Sequence, residues 1–336
     1  MIIFKLAPKS KTPNPKPEFP HPKSQIQHLT FKMIPFSLTI LGSSSATPTS
    51  ERNPTAQLLS HGEKLFLIDC GEGTQMQIRK AGVKLQKITH ILISHLHGDH
   101  FFGLPGLLSS LHLLNHKQDI HLYGPEALFP LLDSIFLASD TKLRFTLVYH
   151  PFNPSQSQVI YRDEKLEVST LPLQHRIPCC GFLFRELPGL LSINKEAIAS
   201  YGLNHAQIMQ IKEGNDFTDA DGNTIKNAHL TRPPRKPVSY AYCSDTAFHP
   251  PLIPLIKGVD LLYHESTFCN DLQKRAAETY HSTAAEAARI ASMSEVKKLL
   301  LGHFSARYNN LDGFLEEAKP LFENTELALE GTTFSM

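Results

Sequence analysis

From Phe36 onward, short apolar runs rich in β-branched residues alternate with stretches whose apolar positions recur at helical spacing, the pattern of an α/β protein. The runs at 37–41, 65–69, 88–94, 120–123, 166–173, 181–184, 238–244, 259–264 and 298–302 read as strands. Helices are expected from about 103 to 115, 126 to 137 and 282 to 294. In the last of these, Thr283 and Glu286 stand at the spacing of a capping box ahead of an alanine-rich stretch. Residues 187–237 break the alternation, because the polar run IKEGNDFTDADGNTIKNAHL leads into the basic proline knot TRPPRKP. This segment reads as an insertion rather than core, and one of this length is functional or mobile.

Proline and lysine dominate residues 1–32, where Glu18 is the single acid. Such a segment cannot bury a core and lacks the apolar run of a secretory signal. It is expected to be a disordered basic extension, inert or the product of an upstream start codon rather than an RNA-touching arm, ahead of a domain at 33–336. The 336 residues are 41% hydrophobic and 19% charged, and no stretch approaches the roughly 18–20 uninterrupted apolar residues of a membrane helix. With 33 Lys+Arg against 32 Asp+Glu the net charge is +1, so any contact with nucleic acid must come from a local patch. Lys226, Arg232, Arg235 and Lys236 form the most basic structured neighbourhood. The 5 cysteines show no CxxC pair, which argues against a disulfide framework and suits a reducing cytoplasm. The 18 histidines turn attention to imidazole and carboxylate ligation.

The decisive segment is ILISHLHGDH, in which an apolar strand runs into His95, His97, Asp99 and His100. The two-residue period points His95 and His97 to one side, and the turn at Gly98 swings Asp99 and His100 towards a neighbouring point. Further ligand types stand at strand ends: His175, Asp245, His264 with Glu265, and His303. Loops beyond strand carboxyl ends can converge on one place while the sheet holds them rigidly.

Eight segments together resemble the ribonuclease Z branch of the metallo-β-lactamase superfamily. They are GSSSATPTSERN, LIDCGEGTQ, ISHLHGDHFFGLPGLL, LQHRIPCCGF, YCSDT, HESTF, YHSTAAEAA and LGHFSARY. HxHxDH identifies only the superfamily; HESTF, HST and HFSARY in that order are much more specific to the branch. The resemblance implies an α/β fold, an αββα four-layer sandwich of two similar halves with an inserted flexible arm at 187–237. It implies a hydrolase, an endoribonuclease that removes the 3′ trailer from precursor tRNA and leaves a tRNA 3′-hydroxyl and a trailer 5′-phosphate. His95, His97 and His175 would hold one zinc ion, Asp99, His100 and His303 a second, and Asp245 would bridge them; other divalent ions also suit these donors. Paired cations would make hydroxide available for in-line attack on phosphorus, with Asp99 orienting the water. His281 would protonate the departing ribose oxygen, supported by Glu265. Ser305 and Arg307 would bind phosphate, and Asp69 would brace the metal loop without ligating. The partners implied are precursor tRNA and a second copy of the chain, with neither a membrane nor an organic cofactor.

One departure stands out. The arm's usual Gly-Pro signature is missing, and GLNHAQIMQIKEGND occupies its place. Grip on the tRNA would then rest on Lys226, Arg232, Arg235 and Lys236 with Arg52 and Arg307, and should weaken steeply with salt. Two rivals remain: a dinuclear zinc phosphodiesterase or sulfatase acting on small esters, and a non-catalytic RNA-binding subunit of the same fold.

Overall fold

The computed structural model describes residues 36–336; the basic segment at 1–32 lies outside the described residues. Two seven-stranded sheets form the centre. The first runs in the order Thr333–Ser335, Phe36–Gly42, Ala56–His61, Lys64–Ile68, His90–Leu92, Ile120–Pro125 and Leu147–Phe152. The second runs Thr325–Leu327, Leu299–Gly302, Leu261–Glu265, Ser239–Cys243, Cys179–Glu186, Leu166–Leu173 and Val159–Arg162. Each sheet joins an antiparallel meander to a parallel set, so the two halves are variations on one plan.

Period-two alternation sorts the side chains into layers. Phe36, Leu38 and Ile40 of one sheet meet Phe182, Phe184, Tyr240 and Tyr242 of the other between the sheets. Leu104, Leu107, Leu108 and Leu111 of the helix Leu104–Leu113 cover the outer face of the first sheet. Ala284, Ala287, Ala288 and Ala291 of Ala284–Met293 pack on the outer face of the second, where small side chains let helix and strands approach closely. The result is the expected four-layer αββα sandwich.

All nine expected strands occur, shifted at their ends by a few residues, and the three expected helices are Leu104–Leu113, Leu128–Ala138 and Ala284–Met293. The capping box is present: Thr283 Oγ1 accepts from Glu286 N at 3.2 Å while Thr283 N donates to Glu286 Oε2 at 2.9 Å. The strands Ala56–His61, Leu147–Phe152, Val159–Arg162, Thr325–Leu327 and Thr333–Ser335 were not expected. Most are edge or short strands whose polar residues and proline mask an apolar period.

The insertion is folded rather than an irregular loop. It contains the helices Lys195–Tyr201 and His205–Lys212 and two small two-stranded ladders around Ala197, Leu203, Ile211, Phe217 and Leu230. Where the Gly-Pro pair was sought, Gly202 takes φ 58° and ends the first helix, and Asn204 opens the second with its own capping box. Five apolar anchors in about fifty mostly polar residues are too sparse for periodicity to reveal, which is why the sequence reads as a loop. Among the described residues no helix is long and apolar enough to cross a membrane.

Candidate metal centre

The strand ends of both sheets bring the histidine and carboxylate side chains to one edge. His95, His97, His175 and Asp245 form one donor group, and Asp99, His100 and His303 a second. His97 Nδ1 lies 3.1 Å from both His95 Nε2 and His175 Nε2. Asp245 Oδ2 stands 3.6 Å from His95 Nε2 and 3.7 Å from His175 Nε2. Its other oxygen, Oδ1, stands 3.2 Å from His100 Nε2 and 3.1 Å from His303 Nε2. Asp99 Oδ2 completes the second group at 3.5 Å from both rings. One carboxylate thus faces both groups, one oxygen to each.

These donors fit a pair of cations. Ligands about 2.0–2.2 Å from a tetrahedral centre are separated from each other by roughly 3.3–3.6 Å, close to the separations found. His100 Nε2, His303 Nε2 and Asp245 Oδ1 are buried and, although near one another, make no aligned hydrogen bond. Buried polar atoms without partners are costly unless an ion or water meets them. Three carboxylates draw positive charge to the second group, charge that a cation would supply in place of the imidazole proton. Burial opposes charge on His100, yet Asp245, Asp99 and Asp69 hold its pKa well above the ordinary imidazole range. Burial pushes His95, His97 and His175 below it, the neutral state in which imidazole ligates.

A surrounding shell sets which ring nitrogen faces inward. Asp69 is fully buried at φ 56° and accepts from Ser94 N (2.7 Å), Ser94 Oγ (2.8 Å), Tyr242 Oη (2.6 Å) and His100 Nδ1 (2.7 Å). It ties His100 to Ser94, at the head of the His95–His100 segment. His175 Nδ1 donates to the Tyr280 carbonyl at 3.0 Å, which turns Nε2 inward. Ala46 N donates to Asp99 Oδ2 at 2.7 Å.

Beside the second group, His281 Nδ1 lies 2.8 Å from Glu265 Oε1. Burial disfavours the charged His281, but the Glu265 carboxylate, joined by Asp245 and Asp99, outweighs it and the pKa is pushed up to about 9. Burial likewise disfavours the Glu265 anion, and His281 nevertheless holds it below the ordinary carboxylate value. The pair adjoins a cavity of about 440 Å³ lined by Ser45, Thr47, Phe268, Arg275, Ser305 and Arg307, among others. That volume lies in the usual range of ligand sites.

The other expected residues divide. His264 is buried but outside both donor groups, its Nδ1 donating to the Glu265 carbonyl at 2.7 Å. Arg52 hooks the Ser305 and Tyr308 carbonyls at 3.2 and 2.8 Å, so it shapes the loop beside the cavity. Within residues 187–237, Lys226 pairs with Asp216 at 2.9 Å, and Arg235 grips both oxygens of Glu186 at 2.5 and 2.6 Å. Arg232 and Lys236 are exposed. Sequence reasoning overlooked Thr267, whose hydroxyl touches Glu265, His281 and His303, and Arg176, whose Nη2 lies 3.2 Å from His97 Nε2. Their signal was proximity in sequence to Glu265 and His175.

Comparison with known proteins agrees with this geometry. A family model described as Anti-Pycsar protein Apyc1 matches residues 36–187. Ribonuclease Z of Bacteroides fragilis is 46% identical over 301 residues, spanning 90% of this chain and 99% of that protein. Ribonuclease Z of Parabacteroides distasonis is 44% identical over 308 residues, spanning 90% and 100%. The crystal structure of human tRNase Z, short form, superposes with a TM-score of 0.65 at 28% identity, covering 89% of this chain and 98% of that one. The metallo-β-lactamase fold protein YhfI from Bacillus subtilis, at 20% identity, a TM-score of 0.63 and coverage of 90% and 99%, shares the fold. The chain therefore belongs to the ribonuclease Z family, phosphodiester-cleaving hydrolases built on the metallo-β-lactamase sandwich.

Proposed function

We propose that this protein is a zinc-dependent endoribonuclease that removes the 3′ trailer from precursor tRNA, leaving a 3′-hydroxyl on the tRNA and a 5′-phosphate on the trailer. The observation that carries the reading is the His281–Glu265 pair, 2.8 Å apart, standing beside two donor groups that Asp245 faces with one oxygen each. His95, His97 and His175 would hold one zinc ion and Asp99, His100 and His303 the other. Two such cations supply charge neutralisation at the phosphoryl group and hydroxide near neutral pH. Asp99 orients the attacking water. His281 delivers a proton from Nε2 to the departing ribose 3′ oxygen, and Glu265 stabilises the charged imidazole and fixes its orientation. Ser305 and Arg307 hold phosphate, Arg307 with the planar fork suited to its oxygens.

Residues 187–237 act in this reading as the arm that grips the tRNA body, through Arg232 and Lys236 more than through Lys226 and Arg235, whose charges are engaged by Asp216 and Glu186. The working form is a homodimer in which one subunit's arm holds the tRNA that the other cuts. The five free, buried cysteines suit the reducing cytoplasm.

The test is cleavage of an end-labelled precursor tRNA by wild type and His97→Ala, with zinc measured on both. Wild type is expected to carry about two zinc ions per chain and to cut once at the trailer junction, while the variant does neither. Intact precursor alongside hydrolysis of a small phosphodiester would move the assignment to the small-ester rival, which the missing Gly-Pro signature favours. Deleting residues 190–235 separates the same readings from another side. A tRNA-processing enzyme loses precursor cleavage and keeps activity on a chromogenic phosphodiester; a small-ester enzyme loses neither.

A further inference from the structure

We infer that the Thr267 hydroxyl is a positioning group that sets two rings at once, turning Nε2 of His303 towards the metal donors and Nε2 of His281 towards the cleft. The inference rests on the roles proposed above for those histidines. Thr267 lies two residues beyond Glu265 and is only 3% exposed, so little water competes for its hydroxyl. Its Oγ1 is 2.8 Å from Glu265 Oε2, 2.9 Å from His303 Nδ1 and 3.2 Å from His281 Nδ1. Three partners surround a group with one proton to give.

The chemistry of the partners decides where that proton goes. An ionised carboxylate only accepts, so the hydroxyl proton goes to Glu265 Oε2, which also accepts from Thr267 N at 2.9 Å. The hydroxyl oxygen is left to accept, and the donors within reach are ring N–H groups. His303 therefore carries its proton on Nδ1. His281 does the same, sharing its Nδ1–H between Glu265 Oε1 at 2.8 Å and, at longer range, Thr267 Oγ1. The His303 Nε2 lone pair then points at Asp245 Oδ1 and Asp99 Oδ2, 3.1 and 3.5 Å away. One hydroxyl links a metal donor to the acid pair. Without it, His303 Nδ1–H would be buried with no acceptor, and the ring would gain by turning the wrong nitrogen inward.

The test compares Thr267→Val, which keeps the shape and loses the hydroxyl, with Thr267→Ser, which keeps the hydroxyl. Zinc affinity is read by chelator titration of the full chain. kcat/KM is read on precursor tRNA and on bis(4-nitrophenyl) phosphate, whose leaving group needs no proton. Thr267→Val is expected to weaken one of the two zinc ions by roughly 10–100-fold. It should also lose about 10²-fold more activity on the precursor than on the nitrophenyl ester, the scale of general acid catalysis. Thr267→Ser should stay close to wild type in both readouts. The inference fails if Thr267→Val keeps both zinc ions and the substrate ratio, if it loses both activities equally, or if Thr267→Ser fails in the same way. If Thr267→Val does not fold by circular dichroism, Thr267→Ala is read against Thr267→Ser in its place. Wild type that binds zinc and cuts the nitrophenyl ester but not the precursor would refute the tRNA reading alone, and the zinc titration would then decide the role of Thr267.

Discussion

Asp245→Ala is expected to lower precursor cleavage by at least roughly 10³-fold, the scale on which removing one preorganised charge-stabilising group acts. It should also reduce the metal held after dialysis by more than any other single substitution. The reason is geometric. Asp245 Oδ2 faces His95 and His175, and Oδ1 faces His100 and His303, so one change removes a donor from both groups. It also leaves His100 and His303 without the carboxylate beside them at 3.1–3.2 Å. His175→Ala takes a donor from one group only and should spare the other cation. Metal analysis of the two variants side by side checks the contrast; two tightly held ions in Asp245→Ala would contradict a shared carboxylate.

His281→Ala should cost roughly 10²–10⁴-fold on precursor tRNA and far less on an ester with a nitrophenolate leaving group. The associated pH dependence has a definite sign. Burial works against charge on His281, the carboxylates of Glu265, Asp245 and Asp99 together overcome it, with Glu265 the largest of the three, and the pKa is pushed up to about 9. The acid form is therefore present below that value and is lost as pH rises through it, so cleavage should fall on an alkaline limb near 9. Glu265→Gln removes the negative charge and should draw that limb down towards the ordinary imidazole value of 6.5. The pH profile of kcat/KM for wild type and Glu265→Gln measures this, and an alkaline limb that does not move would assign it to another group.

Much of the centre was legible because metal chemistry restricts residue types as well as spacing. His95, His97, Asp99 and His100 lie within six consecutive residues, and His175, Asp245 and His303 each follow an apolar strand. The segment 187–237 was less legible. Its five buried apolar residues, from Ala197 to Leu230, follow no single period, so a folded unit resembles a polar loop in sequence. Its basic residues were visible as charges, but the pairing of Arg235 with Glu186 across 49 positions was not.

Local pattern, through apolar period, capping spacing and the order of ligand types, determined the α/β class, the positions of the nine main strands and three main helices, and the residues that could ligate. Tertiary structure alone decided how those residues divide the work. That Asp245 gives one oxygen to each donor group, that Asp69 collects four donors, and that Thr267 stands among Glu265, His281 and His303 depend on side-chain directions at the ends of strands distant in sequence. Sequence spacing reports neighbours along the chain. Contacts between loops follow only when the two sheets pack and fix the angle at which each strand delivers its last side chain.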